Sequence, residues 1–195
     1  MNESEVEGEV RNEQLDAERE ARRRAALAQI RQYPDPVLRM KAREVDTLDG
    51  SVAALVERMS RLMGEARGVG LAAPQVGILR RVLVYQTGEE DPVSALVNPR
   101  IVSSTDEQAV EEEGCLSLGA AAVVVEVERP LGVTVEASTP SGEPVRIEAE
   151  GLEARVLQHE IDHLDGVLTI DRTTPEHRRG ALAKLRPQPV LGHLA

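Results

Sequence analysis

Aromatic residues are almost absent from this 195-residue chain, which has no Phe, no Trp and only two Tyr, Tyr33 and Tyr85. Hydrophobic residues still make up 41% of the sequence, so Val, Leu, Ile and Ala must fill the core. Because Val-rich runs favour strands, this composition indicates a fold that contains β-sheet. A chain of this length is most simply one domain with appendages.

Long apolar runs are also lacking. No run reaches the roughly 18 residues that a membrane-spanning helix requires. The N-terminal stretch MNESEVEGEVRNEQ is acidic and has no apolar segment of the kind that marks a secretory signal peptide. The single cysteine, Cys115, cannot form an internal disulfide, so nothing indicates an oxidising compartment. We therefore expect a soluble, cytoplasmic protein that does not interact with a membrane.

Basic residues are fewer than acidic residues. The chain has 23 Lys and Arg residues against 34 Asp and Glu residues, which gives a net charge of −11. The field of such a molecule repels phosphate, and this argues against direct binding to DNA or to other nucleic acids. A local basic patch remains compatible with this net charge.

The two ends of the chain differ in composition from the domain between them. Residues 1–32 are rich in both acidic and basic side chains and predict a charged extension that is partly helical or disordered. This extension is either simply solvated or an arm that binds a partner. The domain is predicted to begin near residue 33, where Pro34 and Pro36 impose an extended start. Residues 173–195 form a basic C-terminal helix, near residues 175–186, with a tail.

The apolar residues within the domain predict the order of its elements. Their spacing over residues 51–67 is typical of an amphipathic helix. The glycines and the proline of GVGLAAPQVG, which follows, make its continuation unfavourable. Strand-like runs lie at residues 80–86, 94–102 and 121–128. Alternating apolar and polar residues also predict a hairpin with strands at 132–139 and 143–150. Helices combined with successive strands of this kind predict an α+β fold with antiparallel strands.

The segment VLQHEIDHLDG predicts a helix over residues 152–165 that ends at Gly166. His159 and His163 lie one turn apart on the same helix face and can direct two imidazoles at one metal ion. Glu160 between them can reach a water on that ion without being a ligand, which is the arrangement of the HExxH motif. The motif alone leaves open that both histidines are ordinary surface or hydrogen-bonded residues.

A third ligand must come from elsewhere, because a catalytic site of the zinc type uses three protein ligands and leaves one position open. Other peptidases use a downstream glutamate, for which Glu176 is the nearest candidate, and Cys115 in EEEGCLSLG is the alternative. A lone cysteine is most often an inert buried thiol. A thiolate with two neutral imidazoles would nevertheless complete the set, and such a set suits Fe(II) or Zn(II).

Three segments in fixed order resemble those of the peptide deformylase family: GVGLAAPQ at residues 68–75, EGCLS at 113–117 and QHEIDH at 158–163. The flanking segments PDPVLR, LVNPRIV and HLDGVLTID are similar to the family as well, so the resemblance runs from residue 33 to 172. It implies an α+β fold in which antiparallel β-sheets pack around a central HExxH helix. The implied reaction removes the N-formyl group from the N-terminal formylmethionine of newly made polypeptides.

The resemblance also implies a metal site. Cys115, His159 and His163 would be the metal ligands, and Glu160 would be the general acid and base. The implied cofactor is one divalent ion, Fe(II) in the first place, with Zn(II), Ni(II) or Co(II) as substitutes.

The substrate side of the site is implied in the same way. Gln75 would donate its side-chain amide to the developing oxyanion, together with the backbone N–H of Leu116. The backbones of Val69, Gly70 and Gly114 would hold N-formylmethionyl peptides in an extended conformation.

Two departures from the family pattern lie close to these residues. Gly119, in the altered segment 118–122, stands where many members have a proline that a basic residue follows. Thr169 stands where an aromatic residue is usual. In the family a basic C-terminal helix can dock on the ribosome, so the basic helix here either makes such a contact or is a solvated helix end. An HExxH metallopeptidase and a non-catalytic deformylase-like binding protein are the alternative functions.

Overall fold

The computed structural model describes residues 3–88, 90–119 and 122–185 of the chain. Its α-helices are Glu3–Leu27 (α1), Gly50–Glu65 (α2), Gly151–Leu164 (α3), Thr169–Arg172 (α4) and Pro175–Leu185 (α5), and 3₁₀ helices lie at Pro36–Arg39 and Ala73–Val76. Its strands are Gly70–Ala72 (β1), Val82–Tyr85 (β2), Ser94–Ser104 (β3), Gln108–Gly114 (β4), Val124–Pro130 (β5), Gly132–Ser138 (β6) and Pro144–Glu150 (β7).

The strands form two antiparallel sheets. One sheet has five strands in the order β1-β2-β3-β6-β7, and the other consists of β4 and β5. Helix α3 contacts strands of both sheets, so the helix with the HExxH motif is central. The predicted α+β class with antiparallel sheets around this helix is therefore confirmed.

Aliphatic side chains fill the core, as the composition requires. The apolar face of α2 buries Val52, Leu55, Met59, Leu62 and Met63 in a cluster that includes the strand residues Leu71, Val82 and Val84. A second cluster joins α3 to the inner face of the large sheet, and a third surrounds Cys115. All three clusters border the segments with the deformylase-like motifs, so the core holds these segments in place.

The charged extension contains α1, which continues to Leu27. Most of the side chains described between residues 15 and 25 are exposed. By contrast, Ala26 and Ile30 are buried in the same cluster as α2. The C-terminal end of this region thus packs with the domain, whereas the boundary at residue 33 stays a prediction.

Strand β4 is an element that the sequence pattern did not predict. Its sequence QAVEEEG contains three successive glutamates, which have low strand propensity. The strand forms because it pairs along its whole length with β5, and because Glu113 turns inward to buried arginines. The segment GVGLAAPQVG likewise contains more order than predicted, since it forms β1 and the second 3₁₀ helix.

The remaining predicted elements are observed with small shifts at their ends. The predicted helix over residues 51–67 is α2, and the predicted hairpin is β6 and β7, which pair antiparallel. The predicted C-terminal helix is α5, although residues 186–195 lie outside the described part of the chain. Among the described residues, the helices are too short or too polar to cross a membrane.

Gly166 supplies a test of the chain reversal after α3. It has a φ of +76°, and an added Cβ would lie 2.6 Å from the carbonyl oxygen of Arg39. Because the left-handed conformation alone costs an L-residue about 1–2 kcal/mol, Gly166→Ala should lower the free energy of unfolding by at least about 2 kcal/mol. Urea unfolding followed by circular dichroism measures this change.

Gly180→Ala in α5 is the matched control, because nothing lies within 4 Å of its added Cβ. It should leave stability unchanged or raise it by up to about 1 kcal/mol. Equal midpoints for the two variants would contradict the assignment of Gly166 as a residue that must be glycine.

Candidate active site and metal centre

Cys115, His159 and His163 lie together in the interior and are called here the ligand group. The thiol follows directly after β4, and α3 presents both imidazoles. Their potential ligand atoms all lie within 4.8 Å of one another, and Cys115 Sγ is 3.2 Å from Nε2 of His163. Cys115 is 2% exposed and His163 is 1% exposed. The structure thus brings the cysteine to the histidines, whereas Glu176 is exposed on α5 and is not part of this group.

The chemistry of the ligand group fits a divalent metal ion. One thiolate and two imidazoles form a three-ligand set of the kind found in catalytic metal sites, with a fourth position open. Burial and the positive charge of His159 lower the pKa of His163 well below its ordinary value, so this imidazole is neutral, as a ligand must be. Nδ1 of His163 is buried without a hydrogen-bond partner in the described residues.

A carboxylate contacts the imidazole of His159 at Nδ1. Its Nδ1 lies 3.1 Å from Oε2 of Glu113, which leaves the other ring nitrogen for the ligand group. Burial lowers the pKa of His159, but its hydrogen bonds with Cys115 and Glu113 outweigh burial and raise the pKa well above its ordinary value. A carboxylate behind a ligand histidine fixes the tautomer and the ring orientation, and it increases the basicity of the ligand.

Glu113 is the centre of a buried charge network that the sequence reading missed. Its carboxylate accepts hydrogen bonds from Arg129 Nε at 2.6 Å, Arg129 Nη2 at 3.0 Å and Arg155 Nη1 at 2.7 Å. Burial raises the pKa of Glu113, but the contacts with His159 and Arg129 lower it to about 2. Asp162 extends the network, because Arg129 Nη1 donates to its Oδ2 at 2.9 Å. Asp162 is therefore a buried ion-pair residue and not the solvated carboxylate that is the default for its residue type.

Glu160 occupies a buried position next to the ligand group. It is 4% exposed, and its Oε2 is buried without a hydrogen-bond partner in the described residues. Burial is the main reason that the pKa of Glu160 rises to about 7. The backbone of Gly70 approaches so closely that an added Cβ would lie 2.8 Å from Glu160 Cδ. Glycine at position 70 thus leaves the space that this carboxylate occupies.

Gln75, in the second 3₁₀ helix, directs its amide towards the cysteine loop. Its Oε1 accepts a hydrogen bond from the N–H of Ala72 at 2.8 Å. This bond orients Nε2 towards Ser117 Oγ, at 3.2 Å, and towards Cys115 Sγ, at 3.9 Å. The amide of Gln75 therefore lies against the segment 115–117, which contains Leu116.

A cleft of about 260 Å³ opens onto these groups. Residues 67–70 form one wall, residues 112–116 form the other, and α3 contributes residues from Leu152 to Glu160. The walls end in strand edges, because β1 pairs only with β2 and β4 only with β5 among the described strands. Val69, Gly70 and Gly114, which the sequence singled out, all line this cleft.

The two departures from the family pattern differ in their surroundings. Gly119 lies in the exposed turn after the ligand cysteine with a φ of +61°, a conformation that suits glycine. The next two residues, 120 and 121, lie outside the described part of the chain. Thr169 is buried at the start of α4, and its Oγ1 has no hydrogen-bond partner among the described residues.

Glu113→Gln tests the charge network. The variant keeps the shape of the side chain but removes the charge that two buried arginines face, and we expect the free energy of unfolding to fall by about 3 kcal/mol. Metal affinity should also fall by about 10- to 100-fold, because His159 loses its carboxylate partner. Urea unfolding and competition with a chromogenic chelator measure the two effects.

Glu111→Gln is the matched control on the same strand. Glu111 pairs with Arg155 at 2.8 Å but its side chain is 57% exposed, so its loss should cost less than about 1 kcal/mol. Equal effects of the two substitutions would contradict the central position of Glu113.

Comparison with known proteins agrees with this geometry. The sequence model of the family described as polypeptide deformylase matches residues 27–179. The peptide deformylase of Natranaerobius thermophilus is 50% identical over 147 residues, which span 75% of this chain and 92% of that protein. The corresponding protein of Desulforudis audaxviator is 44% identical over 154 residues, which span 79% of this chain and 98% of that protein.

Solved structures show the same similarity. A peptide deformylase from Legionella pneumophila has a TM-score of 0.76 at 43% identity, over 80% of this chain and 91% of that one. A peptide deformylase from Synechococcus elongatus, in complex with actinonin, has a TM-score of 0.76 at 37% identity, over 82% and 91% of the two chains. The matched segment, the fold and the ligand group agree, and the chain belongs to the peptide deformylase family.

Proposed function

We propose that the ligand group and the carboxylate of Glu160 carry out the reaction of this peptide deformylase, which removes the N-formyl group from newly made polypeptides. The observation that carries this proposal is their common position at one cleft whose two walls end in unpaired strand edges. Such a cleft accepts an extended chain, and the ligand group lies where the end of that chain would arrive.

The ligand group is proposed to hold one divalent ion, with Fe(II) as the first candidate and Zn(II), Ni(II) or Co(II) as substitutes. Thiolate and imidazole ligands suit each of these ions. When bound, such an ion acts as a Lewis acid and lowers the pKa of a water molecule.

Glu160 is proposed as the general base and then the general acid. It would take a proton from the attacking water and later deliver this proton to the nitrogen of the leaving amine. Its support is physical: a buried carboxylate with a pKa of about 7 exchanges protons readily near neutral pH. The formamide carbon gains the water oxygen and loses the amine, which leaves formate and a free N-terminus.

Gln75 and Leu116 are proposed to stabilise the negative charge that develops on the formyl oxygen. Nε2 of Gln75 already points into the ligand region, and the N–H of Leu116 follows the ligand cysteine. Hydrogen-bond donors that are fixed before the reaction stabilise such a charge without reorganisation.

The backbones of Val69, Gly70 and Gly114 are proposed to hold the peptide. These residues line the two walls of the cleft, next to the unpaired edges of β1 and β4. A peptide that adds to a strand edge is recognised mainly through its main chain, so one cleft can accept many sequences. This property fits a substrate set of newly made polypeptides.

The enzyme is proposed to act in the cytoplasm, with a weak contact between its basic C-terminal helix and the ribosome. Helix α5 buries Ala181 against the domain and exposes Arg179 and Lys184. Arg178, also exposed, pairs with Asp171 at 3.0 Å and is less available.

Glu160→Gln tests the reaction. Protein purified without oxygen and loaded with Fe(II) or Ni(II) should release formate from formyl-Met-Ala-Ser, and the variant should be about 10²- to 10⁴-fold slower because proton transfer is lost. Formate is measured with a coupled dehydrogenase assay. The control is Glu176→Gln, because Glu176 is exposed on α5.

Equal rates for the wild type and Glu160→Gln would contradict the assigned role. Absence of formate release from fully loaded wild-type protein would favour the binding-protein alternative. Cys115→Ser separates the deformylase from a metallopeptidase: the variant should lose the ion, and retention of the ion with cleavage of internal peptide bonds would favour the metallopeptidase.

The ribosome contact has its own test. Arg179→Glu combined with Lys184→Glu should lower co-sedimentation with ribosomes by about tenfold, and binding of the wild type should weaken as salt is raised. The control combines Arg43→Glu with Arg61→Glu, which makes the same charge change at exposed positions elsewhere. Salt-independent binding, or equal losses in both double variants, would contradict the contact.

A further inference from the structure

A short segment between α1 and the first 3₁₀ helix contacts both parts of the chain that supply the proposed oxyanion donors. They are the loop with the second 3₁₀ helix, which carries Gln75, and the loop after β4, which carries Leu116. The short segment, residues 30–33, is called here the clamp segment. The N–H of Arg31 donates to the carbonyl oxygen of Gln75 at 2.7 Å. One residue later, Nε2 of Gln32 donates to the carbonyl oxygen of Leu116 at 2.8 Å. The N–H of Tyr33 then donates to the carbonyl oxygen of Ser117 at 2.8 Å.

Apolar packing holds the clamp segment at both ends. Ile30 is 4% exposed and belongs to the same buried cluster as Val76 and Leu116. Tyr33 packs against the cluster that contains Cys115. The three consecutive hydrogen bonds thus come from a segment that packing holds in place. They therefore restrain the positions of both loops.

The side chain of Arg31 adds a further contact on the Gln75 side. It lies over Gly77, where an added Cβ would be 3.0 Å from Arg31 Nε. Gly77 ends the second 3₁₀ helix with a φ of +81°. The clamp segment therefore contacts the helix that carries Gln75 at two points, the backbone of Gln75 and the end of the helix at Gly77.

Direct hydrogen bonds between the two loops are less suited than those of the clamp segment to fix the loops during the reaction. In the described part of the chain they both come from Nε2 of Gln75, which approaches Ser117 Oγ and Cys115 Sγ. That same amide is the proposed oxyanion donor. When it turns to the formyl oxygen these bonds weaken, and the hydrogen bonds of the clamp segment remain.

We propose that the clamp segment sets the separation of the two oxyanion donors and that Gln32 is the positioning residue for Leu116. This inference rests on the proposed roles of Gln75 and Leu116. The carbonyl and the N–H of Leu116 belong to the peptide units on either side of its Cα, so Gln32 acts on the N–H by restricting the backbone torsions of this residue. The Arg31 bond, from the same short stretch of chain, fixes the backbone of Gln75, whose side-chain amide is the other donor.

Gln32→Ala tests this proposal in the metal-loaded enzyme. We expect kcat for formyl-Met-Ala-Ser to fall by about 10- to 100-fold, because a small misplacement of a fixed donor has effects of this size. KM and metal content should remain within about twofold of the wild type, since the expected displacement is at Leu116 and not at the ligand group or at Val69, Gly70 and Gly114. Gln32→Glu, which keeps the shape but lacks the donor, should show the same loss.

Gln29→Ala is the matched control, because Gln29 is exposed and its side chain donates to the carbonyl oxygen of Ala25, in the preceding helix α1. Hydrogen exchange followed by mass spectrometry gives a second readout that does not depend on turnover. Gln32→Ala and Gln32→Glu should speed exchange in peptides that cover residues 115–119, without a matching fall in the unfolding midpoint. Gln29→Ala should change neither kcat nor exchange.

The outcomes separate the two proposals. An unchanged kcat in both Gln32 variants overturns the clamp, and so does a loss of kcat that a loss of metal or of global stability fully accounts for. If the wild type and Gln29→Ala release no formate, the proposed function fails, and exchange at residues 115–119 alone then decides the clamp.

Discussion

The carboxylate of Glu113 is the contact on which the site depends. Its buried negative charge faces two arginines, Arg129 and Arg155, and the imidazole of His159. Through these contacts it connects the small sheet, the central helix and the ligand group. Removal of the charge would leave buried cations without compensation, which is far more costly than the loss of an exposed ion pair. The fold and the metal site are therefore stabilised by the same group.

The sequence predicted those parts of the protein that local spacing determines. His159 and His163 are four residues apart, and helical geometry alone places them on one face. The apolar spacing of α2 and the alternation in β6 and β7 were equally informative, because burial follows the period of each element. Cys115 was one of two candidate third ligands by its chemistry, and the resemblance to a family was needed to prefer it, since no local rule connects it to histidines more than forty residues further along the chain.

The sequence did not predict contacts between distant segments. Nothing in the sequence QAVEEEG indicates that a glutamate of β4 is buried, yet Glu113 is buried and forms an ion pair with Arg129 of β5 at 2.6 Å. The hydrogen bond from Gln32 to Leu116 joins residues 84 positions apart, and only the folded chain brings them together. Such contacts depend on the register of strands and on the path of loops, which residue types alone do not determine.

The acidic run of β4 has a further consequence for self-association. An open strand edge invites the same edge of a second molecule, and this is a common route to aggregation. Glu111 and Glu112 are exposed on this strand, beside the cleft. Two copies that met edge to edge would place like charges side by side, which opposes their pairing. The exposed glutamates thus oppose pairing between the β4 edges of two molecules. They place no such like-charge repulsion on an extended chain without acidic residues.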